Sequence, residues 1–69
     1  MEIFTNLTNE IPEGSHDLGV LSMPFEKRQK TRQKTALDSG LVIGLMLPRG
    51  TLMRGGDLLI AESGQFIRV

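Results

Sequence analysis

Leu47-Pro48-Arg49-Gly50-Thr51-Leu52-Met53-Arg54-Gly55-Gly56-Asp57-Leu58-Leu59 joins the most apolar run of the chain, Leu41 to Leu47, to a second apolar run, Leu58 to Ala61. Pro48 has no N–H to give to a ladder and Gly50 tolerates positive φ, so a strand ending at Leu47 stops here. Gly55-Gly56-Asp57 reads as a tight turn that launches the next strand, since glycine admits left-handed dihedrals and Asp bonds its own backbone two residues on. Leu52 and Met53, held between Arg49 and Arg54, are both expected to plug the end of a β-sandwich. A long crossover without regular structure costs entropy unless its apolar residues are buried.

Outward from this connector the chain reads as paired strands. Upstream, Lys30 to Leu37 alternates: Lys30, Arg32, Lys34 and Ala36 fall on one face, and Thr31, Gln33, Thr35 and Leu37 on the other. With so few large apolar groups this strand belongs at an edge or on one broad exposed face. Asp38-Ser39-Gly40 turns it back as a hairpin into Leu41 to Leu47, which is apolar on both faces and so is expected to be covered on both sides, the second cover being another domain or subunit. Downstream, Asp57 to Ala61 and Gln65 to Val69 form a hairpin around Glu62-Ser63-Gly64.

The first third is less regular. Glu2 to Thr8 is a short strand with Ile3 and Leu7 on one side and Phe4 on the other. Asn9 to Asp17, with Pro12, Gly14 and Ser15 among acids, has loop composition, and Leu18 to Met23 is a second strand ended by Pro24. Phe25 to Gln29 suits one helical turn, with Pro at its start and Glu26 in the first turn. The fold class predicted is all-β: a small sandwich of two short-stranded sheets, about six strands in all.

Sixty-nine residues with 39% apolar content make one domain, 1–69. A domain this short buries only about 60% of the surface of its unfolded chain. There is no cysteine to staple it and no Trp or Tyr to fill it, so Leu, Ile, Val, Met and three Phe must form the core. The amino terminus has no basic stretch followed by an apolar one, and the longest apolar run, seven residues, is far short of a membrane span. A soluble, cytoplasmic protein is the simplest reading. Eight basic and eight acidic residues cancel, yet they are segregated. Glu2, Glu10, Glu13 and Asp17 precede any positive side chain, whereas Lys27, Arg28, Lys30, Arg32 and Lys34 follow one another with no acid between them.

Catalysis has little to work with: the single histidine, His16, lies in the acidic loop, and no nucleophile is spaced to use it. His16 with Glu13 and Asp17 would hold a divalent ion weakly. The basic run has two readings. Its lysines and arginines are a solvated strand face guarding an edge against aggregation, or Lys27, Arg28, Lys30, Arg32 and Lys34 form a docking surface for an acidic partner. A nucleic-acid partner, as for a small swapped-hairpin transcriptional regulator, is the alternative. A pI near 6.5 and the lack of aromatics among the basic residues argue against it. A lipoyl-type carrier would need a lysine at a hairpin tip, and none of the three lysines sits at one.

The connector, together with Phe25 to Arg32, Thr35-Ala36-Leu37 and Asp38-Ser39-Gly40, resembles the amino-terminal domain of the UreE-type urease accessory proteins, the nickel metallochaperones of urease. The likeness runs from about Leu21 to Val69. It implies two small packed sheets similar to the substrate-binding domains of Hsp40 chaperones. It also implies a protein-interaction role, with urease apoprotein and the urease accessory GTPase as partners and a homodimer formed through the full-length protein. In that family nickel is held by histidines of a carboxy-terminal domain, so no cofactor or metal ligand is expected in this chain. Ending at Val69, it is expected to be an amino-terminal part.

Overall fold

The structure, a computed structural model, describes all residues, Met1–Val69. Six strands account for nearly all its regular elements: β1 (Ile3–Thr8), β2 (Asp17–Val20), β3 (Arg32–Ala36), β4 (Val42–Met46), β5 (Leu58–Ala61) and β6 (Phe66–Arg68). The one helix, α1 (Phe25–Arg28), is a single turn, with Pro24 capping it from outside rather than occupying its first position. All-β is therefore the class, but the strands form one sheet in the order β2-β6-β5-β1-β4-β3, curled into a half-barrel, and not the two packed sheets that the sequence suggested.

The reason lies in β1. It pairs parallel with β4 on one side, Phe4 opposite Leu45, and antiparallel with β5 on the other, Phe4 opposite Ala61. The first strand thus welds the β3–β4 hairpin to the β5–β6 hairpin, and the curl of the joined sheet supplies the enclosure that a second sheet would otherwise give. At one corner the two outer strands nearly meet. The N–H of Asp38 donates to the carbonyl of Val20 at 2.9 Å, and the N–H and O–H of Ser22 donate to the Asp38 carboxylate at 3.3 and 2.8 Å.

The inner face holds a core of eleven residues, contributed by every strand region, in which Phe4, Leu21, Ile43, Leu59 and Ile67 have no exposed surface. Each such side chain contributes about 1.5–3 kcal/mol relative to leaving it in water. β1 shows how local geometry overrides simple alternation. Phe4 faces Ala61 and Asn6 faces Ile60, so Thr5 is an extra residue in a β-bulge. The bulge shifts the phase of the strand: Leu7 comes opposite Leu59, on the same face as Phe4 although it stays 38% exposed, while Ile3 is left on the outer face. Ile3 and Leu7 therefore do not share a side.

The connector folds as two turns. Thr51 N–H closes the first on Pro48 and Asp57 N–H closes the second on Arg54, with Gly50 and Gly56 at φ of 86° and 91°. The Asp57 carboxylate accepts from Arg54 N–H at 2.8 Å, and Val69 bonds both Gly56 and Asp57, so the second turn is tied to the last residue of the chain. Met53 is the plug, at 1% exposure. Leu52 is not: it remains 39% exposed, because adjacent residues of an extended segment point to opposite sides. On β4, Ile43 and Leu45 enter the core, but Val42 and Met46 on the outer face are 43% and 51% exposed, so the expected second cover is not provided by this chain.

A basic free edge on β3

β3 is the last strand of the sheet, bonded to β4 alone. The register sets Arg32 opposite Met46, Lys34 opposite Gly44 and Ala36 opposite Val42. Leu47 N–H donates to Thr31 C=O at 2.8 Å and Leu37 N–H to Leu41 C=O at 2.9 Å, so the odd-numbered residues of β3 turn their main-chain groups towards β4. Gly44 N–H independently donates to Glu2 C=O on the β1 side at 2.8 Å, turned away from Lys34. It follows that Arg32, Lys34 and Ala36 direct their N–H and C=O groups outward, along the free edge. Their side chains are exposed, whereas Gln33 and Thr35 are half-buried on the opposite face.

The edge has defined ends. Beyond Ala36 and Leu37 the next outward N–H, that of Asp38, is taken by Val20. At the other end the chain turns through α1, where Lys30 N–H donates to Lys27 C=O, and the Gln33 side-chain amide donates to the carbonyls of both Lys27 and Lys30, at 2.9 and 3.1 Å. Arg28 Nε donates to Met23 C=O at 2.9 Å. These contacts fix the turn against β3.

The five basic residues singled out in the sequence come from two places, α1 with the turn after it and β3. Arg32 and Lys34 stand together on the outer face of β3. Lys27 and Arg28 ride on α1, anchored through Gln33, which points to the other side. Arg28 is half-buried and committed to Met23, and Lys30 is exposed in the turn between. In strand order the two charge groups fall at the two ends of the sheet: Asp17, with Glu10 and Glu13 before it, opens β2, and the basic residues flank β3. His16 is exposed, and its carbonyl accepts from Phe66 N–H; the structure gathers no group of three or more His, Cys, Asp or Glu.

Two features escaped the sequence reading. The staple made by Gln33 depends on a hydrogen bond geometry that spacing does not reveal. The other is a depression of about 470 Å³ on the outer face, floored by Met1, Ile3 and Met46 and rimmed by Glu2 and Glu62, with Ser63 Oγ donating to Glu2 Oε1 at 2.9 Å. Only the exposed apolar character of β4 hinted at it.

A family model for the amino-terminal domain of the UreE urease accessory protein matches residues 2–69. The chain belongs to this family. Proteins named urease accessory protein UreE are similar to it: that of Cupriavidus pinatubonensis is 55% identical over 49 residues, 71% of this chain and 22% of the relative. That of Alkalilimnicola ehrlichii is 41% identical over 63 residues, 91% of this chain and 39% of the relative, and that of Alcanivorax borkumensis 50% over 52 residues, 75% and 30%. The chain thus spans between about a fifth and two fifths of the length of these curated relatives. The match favours the urease accessory reading over the swapped-hairpin regulator, and the relatives' names describe an accessory role. No helix is long and apolar enough to cross a membrane.

Proposed function

We propose that this chain is the protein-interaction domain of a urease accessory nickel metallochaperone, assisting nickel delivery and assembly of the urease active site in the cytoplasm without doing chemistry itself. The observation that carries the reading is the free edge of β3, where Arg32, Lys34 and Ala36 present unpaired main-chain groups beside two exposed cations. A partner segment adding there as a strand gains affinity from main-chain hydrogen bonds and selectivity from side chains, the logic of strand addition. Urease apoprotein and the urease accessory GTPase are the partners, and nickel is cargo carried by other parts of the full-length protein, which forms the homodimer.

Backbone amide NMR of this chain, titrated with the accessory GTPase alone and bound to apo-urease, tests the reading. Localised shifts and slowed exchange at Arg32, Lys34 and Ala36 are expected. A folded sample whose β3 amides do not respond to either protein refutes docking at this edge.

A further inference from the structure

Resting on the reading of β3 as the docking edge, we infer that its occupant is a short extended segment in which two acidic residues alternate with uncharged ones and an apolar residue lies two positions beyond the pair. Along an antiparallel segment the pattern is apolar-x-acidic-x-acidic, where x is small or β-branched.

The pattern follows from the register. Only Arg32, Lys34 and Ala36 offer main-chain groups outward, so a residue of an added strand that bonds any of them lies directly opposite it and shares its face. Arg32 and Lys34 are two residues apart on the outer face, which a strand rise of about 3.3 Å per residue puts at roughly 7 Å. Acids at i and i+2 of the added strand repeat that spacing. The third outward residue, Ala36, is small and pairs with Val42, which leaves apolar surface on the same face. The position opposite Ala36 is therefore apolar. The x positions share the face of half-buried Gln33 and Thr35, where a charge would lose water without gaining a partner.

The edge also limits the occupant's length. Val20 takes the Asp38 N–H at one end and the Gln33-pinned turn closes the other, so three residues of β3 do the pairing. A second copy of this chain is a poor occupant. The antiparallel self-pairing that uses all three residues sets Lys34 opposite Lys34, and like charges directly opposite destabilise a ladder.

The test uses the whole 69-residue chain, isotopically labelled, and two blocked heptapeptides of one composition. The first is threonine-leucine-threonine-glutamate-threonine-glutamate-threonine; the second is its isomer threonine-threonine-glutamate-glutamate-leucine-threonine-threonine, whose adjacent acids face opposite sides. Expected are shifts confined to the amides of residues 31–37 and binding about three- to tenfold tighter for the first peptide, the gain of two cross-strand charge pairs. The advantage shrinks in 0.5 M salt. The double variant R32E/K34E should lose it and instead prefer a peptide with lysine in place of glutamate. Equal binding of the two isomers, or no inversion in the double variant, overturns the inference and leaves Arg32 and Lys34 as guards of the edge. If apo-urease or its GTPase protects the β3 amides while the isomers bind alike, the docking reading stands and only the acidic pattern fails. If the first peptide wins but neither urease protein reaches β3, the docking reading fails and the edge keeps its ligand chemistry.

Discussion

Ile3 lies across the one position of β4 that has no side chain: a Cβ on Gly44 would stand 2.7 Å from Ile3 Cδ1. The two residues are partners in the parallel ladder between β1 and β4, so Ile3 occupies the space that a side chain on residue 44 would need. The obstructing atom is the far end of a side chain. Gly44→Ala should therefore be tolerated, with a net loss below about 1 kcal/mol, as Ile3 rotates and the strand gains stiffness. In an Ile3→Val background, which removes Cδ1, the same change should become neutral or stabilising. A double-mutant cycle in urea checks this, with a coupling of about 0.5–1 kcal/mol expected and strict additivity counting against the contact.

Met53 and Leu52 are neighbours with opposite fates. Met53→Ala empties part of the core and should cost about 2–4 kcal/mol, while Leu52→Ala should cost under about 1. In a domain whose total stability is on the order of 5 kcal/mol, the first change leaves a substantial unfolded fraction, visible in the amide spectrum. Equal costs would mean that the connector packs differently.

The adjacent glycines of the second turn separate in the same way. Gly56 has φ of 91° and Gly55 is not in that region, with open space around both. Gly56→Ala should lower stability by about 1–2 kcal/mol through backbone strain, and Gly55→Ala should leave it unchanged or raise it by a few tenths. Thermal melts of the two variants suffice, and reversal of the order would refute the turn geometry.

Asp38 ties the β3–β4 hairpin to the β2 segment through its own N–H and its carboxylate. Asp38→Ala removes the two bonds from Ser22 and should speed exchange of the Ser22 amide and of its neighbours roughly fivefold, about the loss of one net hydrogen bond. Amides in β5, at the centre of the molecule, should not change. Uniform acceleration would instead report global destabilisation.

With His16 exposed and no group of three donors, calorimetry with nickel should give no binding tighter than about millimolar to this chain. Micromolar affinity would reveal a donor set that only forms around the ion.

Much of this arrangement was legible because it is local. Asp38-Ser39-Gly40 and Glu62-Ser63-Gly64 announce hairpins, Pro48 and Gly56 bound the connector, and the alternation from Arg32 to Ala36 marks an edge strand with one polar face. What could not be read depends on pairing between distant segments. The bulge at Thr5 appears only when β1 is laid against β5, and it moves Leu7 to the side of Phe4. The merging of two hairpins into one curled sheet requires knowing that Phe4 sits between Leu45 and Ala61. The basic run is continuous in sequence, but the chain carries it on two elements, α1 with its following turn and β3, held together by a Gln33 staple that spacing alone does not reveal.

The placement of β1 carries a consequence for the history of each molecule as it is made. Phe4 leaves the ribosome 57 residues (61 − 4) before Ala61, one of its ladder partners. At about 5–20 residues per second, the amino-terminal strand waits several seconds without its central position, its apolar side chains open to other chains. The β3–β4 hairpin can form early, but the sheet cannot close around it until β5 has emerged. Folding of so non-local a topology belongs in the millisecond-to-second range once β5 and β6 have emerged. During synthesis, the vulnerable segment is therefore the first strand and not the exposed basic edge.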